Sequence, residues 1–171
     1  VVDEAYIDFA KDEGFLPVLA KYPNLIVLQT FSKAWGLAGL RLGMAFASEE
    51  IISVLNKIKY PYNLNILTQQ VALEKLSSAE EKNKQVDIIL RERSILTEQL
   101  QALPMVERVY PTDANFVLVR MKDARNVYDQ LIERSIIVRD RSTVVLCADC
   151  LRITIGTPEE NKKLIETLKT L

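Results

Sequence analysis

Lys33 is the residue in this sequence that most suggests chemistry. It follows the apolar run Leu25-Ile26-Val27-Leu28, with Ser32 just before it and Gly36, Gly39 and Gly43 after it. A lysine just past a buried strand stands where open α/β sheets place their ligands, at the carboxyl ends of the strands. Glycines permit left-handed backbone and let a ligand approach the main chain closely. An amine in an enclosed place is disfavoured as an ammonium ion and is free to attack an aldehyde. Arg41 adds a planar fork that suits phosphate. The same residues also read as a surface lysine beside a glycine loop, with an arginine capping a strand. Neither G-x-x-x-x-G-K-[ST] nor G-x-G-x-x-G is present, so nucleotide binding is not expected.

Asp3 and Tyr6 form a second cluster, at the end of the apolar segment that opens the chain. A buried aspartate needs a cationic or hydrogen-bonding partner. Read alone, Asp3 and Glu4 could simply cap the next turn. Read with Lys33 and Arg41, the set is a carboxylate, a phenol, an amine and a guanidinium. Those groups can hold a protonated pyridine, a phenolate, an aldehyde and a phosphate.

The elements that must position these residues can be read from the pattern. Val1 to Asp8 reads as a short strand, Pro17 to Lys21 as a helix, Leu25 to Leu28 as a strand buried on both faces, and Leu40 to Ala47 as another strand. Helices are expected from Ser48 to about Ile58, from Ile66 to Ser77, and from Glu80 to Leu103, with Tyr60-Pro61-Tyr62-Asn63 as a break. The last third reads as strands at Val106 to Tyr110, Phe116 to Met121, Ile136 to Val138 and Leu151 to Ile155, with a helix from Ala124 to Arg134. Thr157-Pro158-Glu159-Glu160 spells a capping box for a final helix with Leu164, Ile165, Leu168 and Leu171 on one face. Strands alternating with helices indicate an α/β architecture followed by a small mixed unit. The expected domains are residues 1–79, a linking helix over 80–103, and a small domain over 104–171.

Composition narrows the classes. With 171 residues, 49% hydrophobic and 26% charged, the chain suits a globular protein of one medium domain or two small ones. A net charge of −1, with basic residues scattered, argues against nucleic-acid or acidic-lipid partners. No apolar run approaches the ~20 residues of a membrane span. The start, Val-Val-Asp-Glu, has no basic n-region. Cytoplasmic localisation is the default expectation. Cys147 and Cys150 form a C-x-x-C, but the sequence contains no histidine to complete a zinc site, and no metal is expected. They read as two reduced structural thiols in or beside a strand. Val1 is not Met and reads as strand interior, so the chain is expected to be a piece of a longer protein.

The blocks Val2-Asp3-Glu4-Ala5-Tyr6-Ile7-Asp8-Phe9 and Ser32-Lys33-Ala34 through Gly43 resemble the fold-type-I aminotransferases, and among them the histidinol-phosphate aminotransferase branch. The resemblance continues through Asn115-Phe116, Ile137-Val138-Arg139-Asp140 and Cys150-Leu151-Arg152-Ile153-Thr154-Ile155-Gly156-Thr157, over essentially the whole chain. It implies the C-terminal part of a large domain that binds pyridoxal 5'-phosphate, mainly a parallel sheet with helices, plus a small α+β C-terminal domain. It further implies that Lys33 forms the Schiff base, Asp3 pairs with the pyridinium nitrogen, and Tyr6 donates to the cofactor phenolate. Ser32 and Arg41, with Thr30, would bind the cofactor phosphate. Arg152 would meet the carboxylate of glutamate or 2-oxoglutarate, and Arg139 the phosphate of histidinol phosphate. Tyr60 and Asn63 would line the substrate mouth. The implied activity is amino transfer between those substrates in histidine biosynthesis, by a protein that is a homodimer at full length. The same residues would also serve another aminotransferase specificity, a threonine-phosphate decarboxylase, or a non-catalytic fragment.

Overall fold

The computed structural model describes residues 1–171. The chain divides into two compact units, Val1–Val86 and Asp87–Leu171. No helix is long and apolar enough to cross a membrane.

The first unit is built on a three-stranded sheet in the order β1 (Val2–Asp3), β2 (Val27–Thr30), β3 (Gly43–Phe46). β1 runs parallel to β2, with Val2 opposite Val27 and Asp3 opposite Leu28. β2 runs antiparallel to β3, with Thr30 opposite Gly43. The parallel pair matters most for the site, because both strands deliver their carboxyl ends to one edge. Helices α1 (Glu49–Ile58) and α2 (Ile66–Leu76) follow. Asn65 caps α2 by accepting the Thr68 N–H at 2.9 Å. The buried apolar side chains of this unit are Phe9, Val27, Phe31, Ala34, Ala72 and Val86.

Several boundaries differ from the sequence expectation, each for a local reason. The opening strand stops at Asp3, where Asp3 Oδ1 accepts the Ala5 N–H at 2.9 Å and the backbone turns. Ile7–Phe9 is then a 3-10 turn. An aspartate that bonds its own downstream amide competes with the strand ladder. Leu16–Lys21 is likewise a 3-10 helix and not an α-helix. Leu40 belongs to a 3-10 turn, Ala38–Leu40, and Arg41 takes a left-handed φ of 53°, so β3 begins only at Gly43. The apolar run is not buried on both faces: Val27 is buried, but Leu28 beside it is exposed within this chain.

The long helix α3 (Ala79–Gln101) spans the division between the units. The second unit carries a four-stranded sheet from β4 (Val106–Val109), β5 (Phe116–Met121), β6 (Arg139–Asp140) and β7 (Cys150–Thr154), in the order β4-β5-β7-β6 and antiparallel throughout. In β5, Val117, Val119 and Met121 point into the core while Phe116, Leu118 and Arg120 stay half-buried, as the alternation requires. The core closes with Leu96 and Leu100 of α3, Val127 and Leu131 of α4 (Ala124–Glu133), and Leu164, Ile165 and Leu168 of α5 (Pro158–Leu168). The capping box at Thr157 forms: Thr157 Oγ1 accepts the Glu160 N–H, and Glu160 Oε2 accepts the Thr157 N–H.

Ile136–Val138 is not a strand. Ser135 takes a left-handed φ of 59° and the Ile136 N–H closes onto the Leu131 carbonyl at 2.9 Å, so Ser135 and Ile136 cap the end of α4, and Ile137 and Val138 lie in neither helix nor strand. Pairing starts one step later, at Arg139. Cys150 is buried in β7, Cys147 half-buried, and both are free thiols.

Leu100 is fully buried at the centre of this core. Leu100→Ala is expected to cost about 2–5 kcal/mol through lost transfer energy and a residual cavity. Urea denaturation should show it as a lowered midpoint for the second unit.

Candidate active site

The sheet edge where β1 and β2 end gathers the first group of candidate residues. Asp3 closes β1, is exposed, and uses one carboxylate oxygen for the Ala5 N–H, leaving Oδ2 without a partner in the chain. Tyr6 follows in the turn. Lys33, from the segment after β2, places its Nζ 5.0 Å from the centroid of the Tyr6 ring. The phenol and the amine therefore share one spot, although they come from separate strand ends.

The Lys33 segment is a closed loop. The Phe31 N–H donates to the Leu42 carbonyl at 3.2 Å, and the Leu37 N–H to the Phe31 carbonyl at 3.0 Å. Within it, the Gly36 N–H closes a turn onto the Lys33 carbonyl at 2.9 Å, and Gly36 has φ +67°. That angle suits glycine, and a Cβ there would meet nothing within 4 Å. Thr30 Oγ1 donates to the Leu42 carbonyl at 3.2 Å and accepts the Ser32 N–H at 3.0 Å. Its one proton is thus committed to shaping the loop. Ser32 Oγ makes no hydrogen bond within the chain, whereas Arg41 is exposed and uses one guanidinium nitrogen on the Ala38 carbonyl at 3.0 Å. Non-glycine residues in the left-handed region are uncommon, and at Arg41 that conformation turns the side chain back over its own loop.

Arg139 and Arg152 lie in the second unit and are direct cross-strand partners on β6 and β7. Like charges placed opposite each other repel. No carboxylate relieves them: neither forms an ion pair, and the buried Nε of Arg152 has no hydrogen-bond partner. Asp140, the acid adjacent in sequence, is engaged elsewhere. It accepts the Ser142 N–H at 2.9 Å and sits 3.6 Å from Arg125, and the Ser142 hydrogen bonds, then Arg125, hold its carboxyl below the usual range. Arg152 stacks its guanidinium 5.1 Å from the Phe116 ring centroid. Two arginines at paired strand positions, neither ion-paired within the chain, suit a multiply charged anion. Tyr60 and Asn63 occupy the exposed connection between α1 and α2, and neither bonds to the Lys33 cluster.

One residue of this edge was not singled out for a role in its own right. Glu4, between Asp3 and Tyr6, is only 6% exposed. Its Oε1 accepts the Phe15 N–H at 2.6 Å and its Oε2 accepts from Gln29 Nε2 at 2.9 Å, while its own N–H donates to the Leu28 carbonyl. It therefore ties the strand end to β2 and to the loop at Gly14. The available signal was a second acid beside Asp3, whose partners lie far along the chain.

Residues 1–168 match the family described as aminotransferase class I and II. The chain belongs to that family. It is 59% identical over 170 residues to the histidinol-phosphate aminotransferase of Cytophaga hutchinsonii, covering 99% of this chain and 49% of that protein. The crystal structure of the histidinol-phosphate aminotransferase from Clostridium acetobutylicum superposes with a TM-score of 0.91 at 26% identity, covering 98% of this chain and 52% of that one. That of the Sinorhizobium meliloti enzyme, in complex with pyridoxal-5'-phosphate, gives 0.86 at 27% identity, covering 98% and 47%. The chain spans about half the length of the curated relatives it matches. The aminotransferase fold class expected from sequence is the one these structures share.

Glu4→Ala is expected to leave the Phe15 and Gln29 donors unpaired and to cost about 1–3 kcal/mol. Gly14→Ala should destabilise in the same sense, because a Cβ there would come within 2.5 Å of Glu4 Oε1 at a φ of +70°. Thermal unfolding of both variants, alone and combined, checks this; shared loss of the clamp predicts a combined effect smaller than the sum.

Proposed function

We propose that this chain is the C-terminal half of a pyridoxal-phosphate-dependent histidinol-phosphate aminotransferase, moving an amino group between histidinol phosphate and 2-oxoglutarate or glutamate. The observation that carries the reading is the meeting of Lys33 and Tyr6 at the edge where Asp3 ends a parallel strand. The 59% identity to a protein of that name supports the substrate assignment. In this reading the first unit is part of the large cofactor-binding domain and the second is the small domain. Tyr62, Ile66, Leu67 and Leu73 are exposed in this chain, an apolar surface that supports further burial in the complete protein, which in this reading is a homodimer of the cytoplasm.

The residues present fit pyridoxal phosphate. Asp3 keeps one carboxylate oxygen free for a protonated ring nitrogen, and Ser32 Oγ and Arg41 offer donors for a phosphate. Gly36 and Gly39 leave open space over the loop. When bound, the cofactor would supply an electron sink for a carbanion at the substrate α-carbon. Asp3 would hold the ring nitrogen protonated, and Tyr6 would donate its phenolic proton to the ring oxygen. Lys33 Nζ would anchor the aldehyde carbon covalently. Displaced by substrate, the same nitrogen would take the proton from the substrate α-carbon and deliver it to the former aldehyde carbon of the cofactor, two bonds away. Thr30 would act by presenting Ser32 and Lys33 through its hydrogen bonds to the loop.

The substrate side needs one site for two anions, since histidinol phosphate carries a phosphate and no carboxylate. Arg152 would meet either anion, and Arg139 beside it would match the second charge of the phosphate. Tyr60 and Asn63 would border the entrance.

In the full-length protein, borohydride reduction after incubation with pyridoxal phosphate should fix one cofactor mass on the Lys33 peptide, and Lys33→Ala should abolish both adduct and turnover. Transamination of histidinol phosphate should far exceed that of aromatic amino acids; comparable rates sink the substrate assignment, and carbon dioxide release from threonine phosphate would favour a decarboxylase. Arg139→Ala should raise KM for histidinol phosphate by about tenfold, the scale of one charge-assisted hydrogen bond, with little effect on glutamate. Arg152→Ala should raise both.

A further inference from the structure

Lys82 is a half-buried cation that none of these roles uses. It lies near the amino end of α3, where the helix dipole disfavours a cation. Two contacts hold it there. Its Nζ is 2.7 Å from Asp8 Oδ1, with the two side chains 16% and 25% exposed, and 5.3 Å from the centroid of the Trp35 ring. Trp35 in turn leans on buried Phe31, ring centroids 5.5 Å apart.

The placement repeats the geometry of the candidate site one step further along both segments. Tyr6 and Asp8 belong to one turn, and Lys33 and Trp35 to one loop. Tyr6 meets Lys33 directly, whereas Asp8 and Trp35 are bridged by Lys82. The first contact is an amine on a ring at an exposed lysine, an interaction too weak to set the spacing of two loops by itself. The second contains a short, half-buried, charge-assisted hydrogen bond, which is stronger and more directional.

We infer that Lys82 is a positioning residue: its ammonium braces the Asp8 turn against the Trp35 loop and thereby holds Tyr6 and Lys33 at their working separation. This rests on the reading of Lys33 as the residue that anchors the cofactor. Lys82 itself touches no reacting atom.

The test uses the full-length protein with Lys82→Met, which keeps the stem over Trp35 but removes the charge, Lys82→Arg, which keeps the charge, and Asp8→Asn. One readout needs no cofactor: the fluorine resonance of 5-fluorotryptophan at position 35, assigned by its loss in Trp35→Phe. The other is the pyridoxal phosphate concentration that half-saturates borohydride-trapped adduct on the Lys33 peptide. In Lys82→Met and Asp8→Asn the Trp35 resonance should move and broaden, and half-saturation should rise by about tenfold, the scale expected for losing one charge-assisted contact. Lys82→Arg should restore both. Half-saturation within twofold of wild type in Lys82→Met overturns the brace, as does failure of the arginine to rescue. Absence of any Lys33 adduct in the wild type overturns the proposed cofactor chemistry; the brace then stands or falls on the Trp35 resonance alone.

Discussion

The parallel pairing of β1 with β2 is the constraint on which the candidate site depends. Only Val2 and Asp3 make the ladder on one side, so the backbone bonds are few. Yet because the two strands run the same way, Asp3 and Thr30 must emerge at one edge. An antiparallel arrangement would send them to opposite edges, and no side chain could recover the distance. The short ladder is reinforced from outside itself: Glu4, the first residue past the strand, carries a buried carboxylate that holds both Gln29 of β2 and the amide of Phe15. A two-residue strand thus keeps its register through a side chain.

The remainder of the edge is organised by hydrogen bonds and backbone turns within the chain. Thr30 uses its hydroxyl to pin Leu42 and Ser32, which closes the loop that carries Lys33. Gly36 and Arg41 take left-handed conformations so that the loop can turn twice within a short span. Asp8, Lys82 and Trp35 tie that loop to the turn containing Tyr6. Candidate site residues alternate along the chain with neighbours that make the supporting contacts, Asp3 then Glu4, Tyr6 then Asp8, Lys33 then Trp35.

The second unit solves a different problem. Its core is one continuous apolar cluster, and its outer face sets Arg139 opposite Arg152. The nearby acid is turned away to Ser142 and Arg125. Two arginines at paired positions are tolerated because the packed sheet beneath supplies the stability.

Much of this was legible in the sequence. The Ser32-Lys33-Ala34 block, the aspartate and tyrosine at positions 3 and 6, the alternation in β5 and the capping box at Thr157 are all local patterns, and local patterns are written in consecutive residues. What the sequence could not state was which local preference wins at a boundary, or which distant side chains meet. Asp3 turned the backbone where apolar periodicity continued the strand, and Ser135 carried the end of α4 into residues that look like strand. Glu4 found Gln29, and Lys82 found Asp8, across separations that no spacing rule encodes. Those contacts arise only when the chain has closed, because burial decides which charged groups must find a partner and the fold decides which partner is within reach.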